Sequence, residues 1–224
     1  MLLLSLNLGR SELTEHTDVD YTGIRKQPVT GPVAVSAPGP KGIGASGLAG
    51  DSVCDLRNHG GNDQAVYAYA REDLDLWARE LGRELPPGAF GENLTTRGLD
   101  VNGALIGERW RIGPDLLLEV TSPRTPCRTF AGFMAEQRWV KRFTQVALPG
   151  AYLRVIEPGE ITAGDGIEIA YRPEHEVTVS FLFRALTTEP ALLPRVLAAG
   201  EALHPEAYEK ALRRTGANER LDTR

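Results

Sequence analysis

The sequence predicts a mainly β, α+β protein: a β-barrel or sandwich with embedded helices over residues 1–172, then a small three-helix appendage over 173–224. Three observations carry this expectation. Short apolar runs of strand length alternate with glycine-rich turns. One clear helical periodicity, Leu74, Trp77 and Leu81, interrupts them in the first half and stops at Gly82. From Val179 onward the apolar spacing becomes helical throughout, broken at Glu189-Pro190 and at His204-Pro205.

In chain order, residues 2–8 read as a first strand, followed by a polar loop to about Asp20 and a second strand at 33–35. Residues 39–50 carry five glycines but no Gly-Lys-Ser/Thr ending, so they read as a mobile inter-strand loop rather than a phosphate loop. Residues 51–57 are expected to form a short strand ending at Asn58-His59-Gly60-Gly61, and 65–69 another. A rigid loop at 86–94 holds Glu92 and Asn93, polar residues that serve turns and hydrogen bonds more often than catalysis. Strands are expected at 105–112, 116–120, 151–156 and 167–171, with a helical or broken-helical stretch at 130–143. The stretch from about Gly216 is expected to fray.

Composition bounds the function. With 42% hydrophobic and 25% charged residues, the chain of 224 can bury a sizeable core. A net charge of -5 argues against a general nucleic-acid binder, though it leaves room for a local basic pocket. The apolar N-terminus is too short for a membrane span and lacks a basic start and cleavage site. Two cysteines, Cys54 and Cys127, could pair, but two thiols without a disulfide framework suggest a reducing, cytoplasmic setting.

The chemically richest stretch is Pro123-Arg124-Thr125-Pro126-Cys127-Arg128. Two prolines hold the backbone extended, and guanidinium charge on either side favours the reactive thiolate. An isolated cysteine in a turn is more often inert, so this signal needs company. His59 before paired glycines, where backbone can approach a ligand, is one companion. Lys26, Arg57, Arg124 and Arg128 are candidate cations for one anionic ligand, while Cys54 reads as packing.

The run Gly50-Asp51, His59-Gly60-Gly61, Ala65-Val66-Tyr67-Ala68-Tyr69, Pro87 to Leu94 and Pro123 to Cys127 resembles the MOSC domain family. Thr22-Gly23-Ile24 with Lys26, together with the helical tail, is similar to its bacterial YiiM-like branch. The resemblance covers nearly the whole chain. It implies a β-barrel with embedded helices and a molybdenum cofactor (molybdopterin) whose metal is ligated by Cys127. It further implies cofactor contacts from Lys26, Arg57, Gly60, Gly61, Asn93 and Arg124, with His59 relaying a proton beside Cys127. Haem and flavin are not expected, nor is cysteine desulfurase activity, since no domain with a Schiff-base lysine precedes the motifs.

The expected activity is reduction of small N-hydroxylated compounds, hydroxylaminopurines or hydroxylamines, with electrons from a separate flavoprotein or iron–sulfur donor. A carrier that holds the cofactor, or sulfur on Cys127, is the alternative; a thiol protein without cofactor is the third. The tail suits docking or homodimerisation, and neither nucleic acid nor membrane is expected as a partner.

Overall fold

In the computed structural model, which describes residues 1–215, the apolar start of the chain forms β1 (Leu2–Gly9). Short strands follow at β2 (Glu12–Leu13), β3 (Tyr21–Thr22), β4 (Lys26–Pro28) and β5 (Val33–Val35). Next come β6 (Val66–Ala70), α1 (Arg71–Leu81) and β7 (Leu94–Arg97), then β8 (Arg109–Ile112) and β9 (Leu116–Pro123). The second half holds α2 (Arg128–Met134), α3 (Trp139–Val146), β10 (Ala151–Glu157), β11 (Gly159–Ile161) and β12 (Ile167–Tyr171). The tail forms α4 (Val179–Leu186), α5 (Leu193–Val196) and α6 (Pro205–Arg214), with short 3-10 turns on both sides of α5. The expected fraying from Gly216 lies outside the described residues.

Eight strands make one sheet in the order β12-β8-β9-β10-β6-β7-β1-β4, antiparallel throughout except for the β6–β7 pair. Strand twist curls this sheet so that the start of β1, next to the β4 edge, approaches the turn before β12. Leu2 bridges to Gly166, and Leu3 N donates to Asp165 O at 2.9 Å. The α+β class is as expected, but a single bridge in place of a ladder leaves the sheet short of the true β-barrel that the resemblance implies. β9 lies between β8 and β10 and is buried along its whole length, so its period-2 alternation feeds two environments. Leu116, Leu118 and Val120 enter the main apolar core, while Glu119 meets Arg109 at 2.7 Å and Arg154 at 3.5 Å.

That core is shared with the tail: Leu182, Val196, Leu203 and Ala211 pack in the same cluster as Leu6, Trp110 and Val120. A second core is aromatic and unites α1, α2 and α3 around Trp77, Phe90, Phe130, Trp139 and Phe143. No helix among the described residues is long and apolar enough to cross a membrane.

Two local expectations are corrected. Residues 51–57 are not a strand, because Asp55 turns the chain. Its carboxylate accepts from Arg57 N at 3.2 Å and Asn58 Nδ2 at 2.8 Å, and its carbonyl from His59 N at 2.9 Å. The strand expected from 105 starts only at Arg109, since Glu108 N closes a turn onto Leu105 O at 2.9 Å. Of the two alternatives for 130–143 the broken helix is the one formed: α2 and α3 separate where Ala135 and Arg138 both take positive φ, near 55°. The glycine-rich loop is tied to its surroundings: Gly47 N bonds Ala65 O at 2.7 Å, and Gly44 O receives Gly61 N at 2.9 Å.

Candidate functional site

The buried strand β9 runs into the proline-rich turn, and Cys127 emerges as the N-cap of α2. Its backbone is extended, with φ -110° and ψ 172°, and its Sγ accepts a hydrogen bond from Phe130 N at 3.4 Å. The sulfur lines a half-enclosed cleft. Cys127, His59, Arg124, Lys26, Asn93 and Gly60, all expected at the site, meet on its walls.

Arg124 is 5% exposed and has no carboxylate partner among the described residues. Its guanidinium lies 4.0 Å from the Phe130 ring centroid and 5.2 Å from that of Tyr67, where the ring faces favour a cation. Nη1 donates to Phe90 O, while Nε is buried without a partner. A buried guanidinium left short of acceptors is a site prepared for an anion. Burial works against a Cys127 thiolate, but hydrogen bonding by His59 and the positive charge of Arg124 outweigh it and lower the thiol to about 6.

Lys26 tells a different story. It is buried at the start of β4, with Nζ 2.5 Å from Asp51 Oδ1. Burial pushes its ammonium below the ordinary lysine range, against the pull of Asp51. Asp51 also accepts from Gly9 N at 2.7 Å and from Asn93 Nδ2 at 2.9 Å. The Asn93 Oδ1 accepts from Tyr67 N at 3.2 Å, so this amide joins β6 to Asp51 as well as facing the cleft. Much of the charge on Lys26 is thus matched inside the protein. Glu92, buried beside it in sequence, organises the 86–94 loop by accepting from Gly88 N, Phe90 N and Thr95 Oγ1.

Two expected site residues stand outside the lining. The Arg57 side chain is 72% exposed and lies 3.5 Å from Asp55 Oδ1, because the Asp55 turn directs it outward. Gly61, with φ 81°, supports the wall from behind: a Cβ there would sit 2.8 Å from the Lys41 backbone. Gly60 is equally constrained, since its Cβ would come within 2.6 Å of Ala45 O. Cys54 shares the cleft, yet both cysteines are free, and Cys54 Sγ lies 3.5 Å from Ser11 Oγ. Asp51, Gln64, Tyr67 and Tyr152 also line the cleft without having been singled out as site residues.

The balance of forces on Cys127 gives a direct expectation. Substituting His59→Phe should raise the midpoint of its thiol titration more than Arg124→Met does, because the hydrogen bond from His59 is the larger of the two favourable influences. Thiol absorbance near 240 nm against pH, in a Cys54→Ser background, measures both shifts. Equal midpoints in all three proteins would contradict this origin of the acidity.

No group of three or more His, Cys, Asp or Glu among the described residues could hold a metal ion by itself. The donor set instead fits a metal that arrives with ligands of its own. Cys127 offers one soft sulfur, Arg124 a cation with no carboxylate partner among the described residues, and Gly60 a wall without side-chain bulk.

The sequence profile of the MOSC domain matches residues 55–168. YflK of Bacillus subtilis (strain 168) is 34% identical over 183 residues, covering 81% of this chain and 79% of that protein. A protein named "Reductase" from Gibberella moniliformis is 32% identical over 175 residues; the match takes in 77% of this chain but only 30% of that longer protein. The crystal structure of YiiM from Geobacillus stearothermophilus superimposes with a TM-score of 0.75 at 26% identity, over 95% of this chain and 98% of that one.

Proposed function

The chain belongs to the MOSC domain family, in its YiiM-like branch, and on that premise we propose that it is a molybdenum-cofactor-dependent reductase of N-hydroxylated compounds. MOSC domains are associated with molybdenum-cofactor binding, and one relative carries the name reductase. The observation that carries the reading is Cys127 beside the buried, carboxylate-free Arg124 in one cleft. The reaction balances as R–NHOH plus two protons and two electrons giving R–NH2 and water. Hydroxylaminopurines and hydroxylamines are the substrate class, and a separate flavoprotein or iron–sulfur protein is the electron source.

Bound in the cleft, the cofactor would supply the two-electron chemistry at a metal open to the substrate oxygen. Cys127 is the group that would hold the metal. Arg124 would bind the anionic part of the cofactor through its free Nε, as a guanidinium pairs with phosphate. Lys26, held by Asp51, contributes position more than net charge. The His59 imidazole, able to give or take a proton, stands next to Cys127 and would deliver one of the two protons.

Metal and pterin analysis of wild type and Cys127→Ser from a cofactor-competent host tests the reading, followed by hydroxylaminopurine reduction with an added donor. Molybdenum near one per chain in wild type, lost in the variant, together with turnover, is the expected result. Metal retained in Cys127→Ser would remove the cysteine as ligand. Metal without turnover would favour a cofactor carrier.

A further inference from the structure

Gln64 lines the same cleft, and its side-chain oxygen is buried without a hydrogen-bond partner among the described residues. The backbone on either side of it is bonded. Gln64 N bonds Gly61 O at 3.1 Å, and Ala65 O accepts from Gly47 N at 2.7 Å. The Asp63 carbonyl accepts from Thr121 Oγ1 at 2.6 Å, and the Asp63 carboxylate lies 2.9 Å from Arg154. The backbone at Gln64 is therefore fixed on both sides, and one polar group is left over. Such a leftover in a preorganised setting calls for an explanation.

A carboxamide presents one acceptor and one donor side by side in either flip state. Its complement is a planar group with an N–H beside an acceptor, the edge of a cyclic amide or amidine. Aromatic surface for such a ring is present, since Tyr67 and Tyr152 line the cleft with ring centroids 5.0 Å apart. The free Nε of Arg124 adds a donor on the same cleft. We propose that Gln64 is a recognition residue that hydrogen-bonds the heterocyclic amide or amidine edge of the molecule seated beside Cys127. This rests on the reductase reading, in which two molecules carry such an edge: the pterin of the cofactor and the ring of a heteroaromatic substrate.

Comparison of wild type, Gln64→Leu and Gln64→Asn from a cofactor-competent host tests the assignment, with unchanged thermal midpoints as the check on folding. If the pterin is the partner, Gln64→Leu should retain about tenfold less pterin after dialysis, measured by fluorescence of the oxidised pterin. If the substrate ring is the partner, pterin content stays level. KM then rises about tenfold for a hydroxylaminopurine and not for hydroxylamine, which has no ring. Gln64→Asn should fall between wild type and leucine in whichever arm responds. Pterin content and both KM values unchanged in Gln64→Leu would overturn the role of Gln64 and leave the reductase reading intact. A wild type that carries no pterin would overturn that reading and this inference with it.

Discussion

Alkylation of Cys127 by iodoacetamide, followed in a Cys54→Ser background, is expected to rise with pH through a midpoint at about 6. The ordinary value is 9.0, so the shift changes what is present near neutrality. At pH 7 a thiol of that acidity is about 90% thiolate, against about 1% for an unshifted one. Rate alone would hide this. Intrinsic nucleophilicity falls with acidity and takes back a factor of roughly 20, leaving a net gain of about fourfold. The midpoint is therefore the discriminating quantity: because burial alone would lift it above the ordinary 9.0, a value above 9 would show that His59 and Arg124 do not favour the thiolate.

The same shift has a stability consequence with a definite sign. The folded-state value lies below the unfolded one, so the thiolate contributes its full stabilisation above about pH 9. That contribution declines as pH falls towards 6 and is gone below it. Urea unfolding of wild type against Cys127→Ser should show the margin of the wild type shrinking over this window, by on the order of a few kcal/mol. A margin that stays flat from pH 9 to 6 would contradict the lowered folded-state value.

What could be read from the chain beforehand separates by the range of the interactions involved. The β9 run and its proline-rich exit are local, and they place Cys127 and Arg124 together because only two residues lie between them. The barrel-or-sandwich expectation follows from strand periodicity and turns, which are also local. The Leu2–Gly166 bridge does not, since it forms only after the whole sheet has curled. Asp51 is a clearer case. Its carboxylate joins Gly9, Lys26 and Asn93, separated from it by 25 to 42 residues, and no spacing in the sequence encodes that junction.

Arg57 is the reverse case. Beside the histidine motif it looks like a site cation, yet the hydrogen bonds of Asp55 decide its direction. Gln64 carries no signal at all in one dimension. Its interest lies in a bond it does not make, which is visible only once its neighbours are placed. Lys26 belongs with Arg57 as a charge that composition counts and the fold cancels: a cation near a cleft attracts an anion only if no carboxylate reaches it first.

Phe90→Ala is expected to cost about 3–5 kcal/mol of unfolding free energy. The ring is fully buried at the centre of the aromatic core, 5.0 Å from Tyr69, 5.3 Å from Phe130 and 5.6 Å from Trp139 by ring centroids. Such a site cannot collapse easily, because rigid rings surround the space left behind. An exposed residue gives the contrast: Leu13→Ala, at 74% exposure, should stay within about 0.5 kcal/mol.

Phe90 is coupled to the site because its backbone is bonded at both ends. Its N–H donates to Glu92 Oε2 at 3.0 Å, and its carbonyl accepts from Arg124. Removing the ring keeps both bonds available but frees the loop that aims the carbonyl. The guanidinium then loses part of its fixed position beside Phe130, and the Cys127 alkylation midpoint should move upward together with the loss of stability. Urea unfolding and the alkylation profile measured on the same preparation separate two cases. Loss of stability with the midpoint still at about 6 would mean that the stacking rings hold Arg124 without help from the Phe90 carbonyl. A joint change would place the control of thiol acidity in the aromatic core itself.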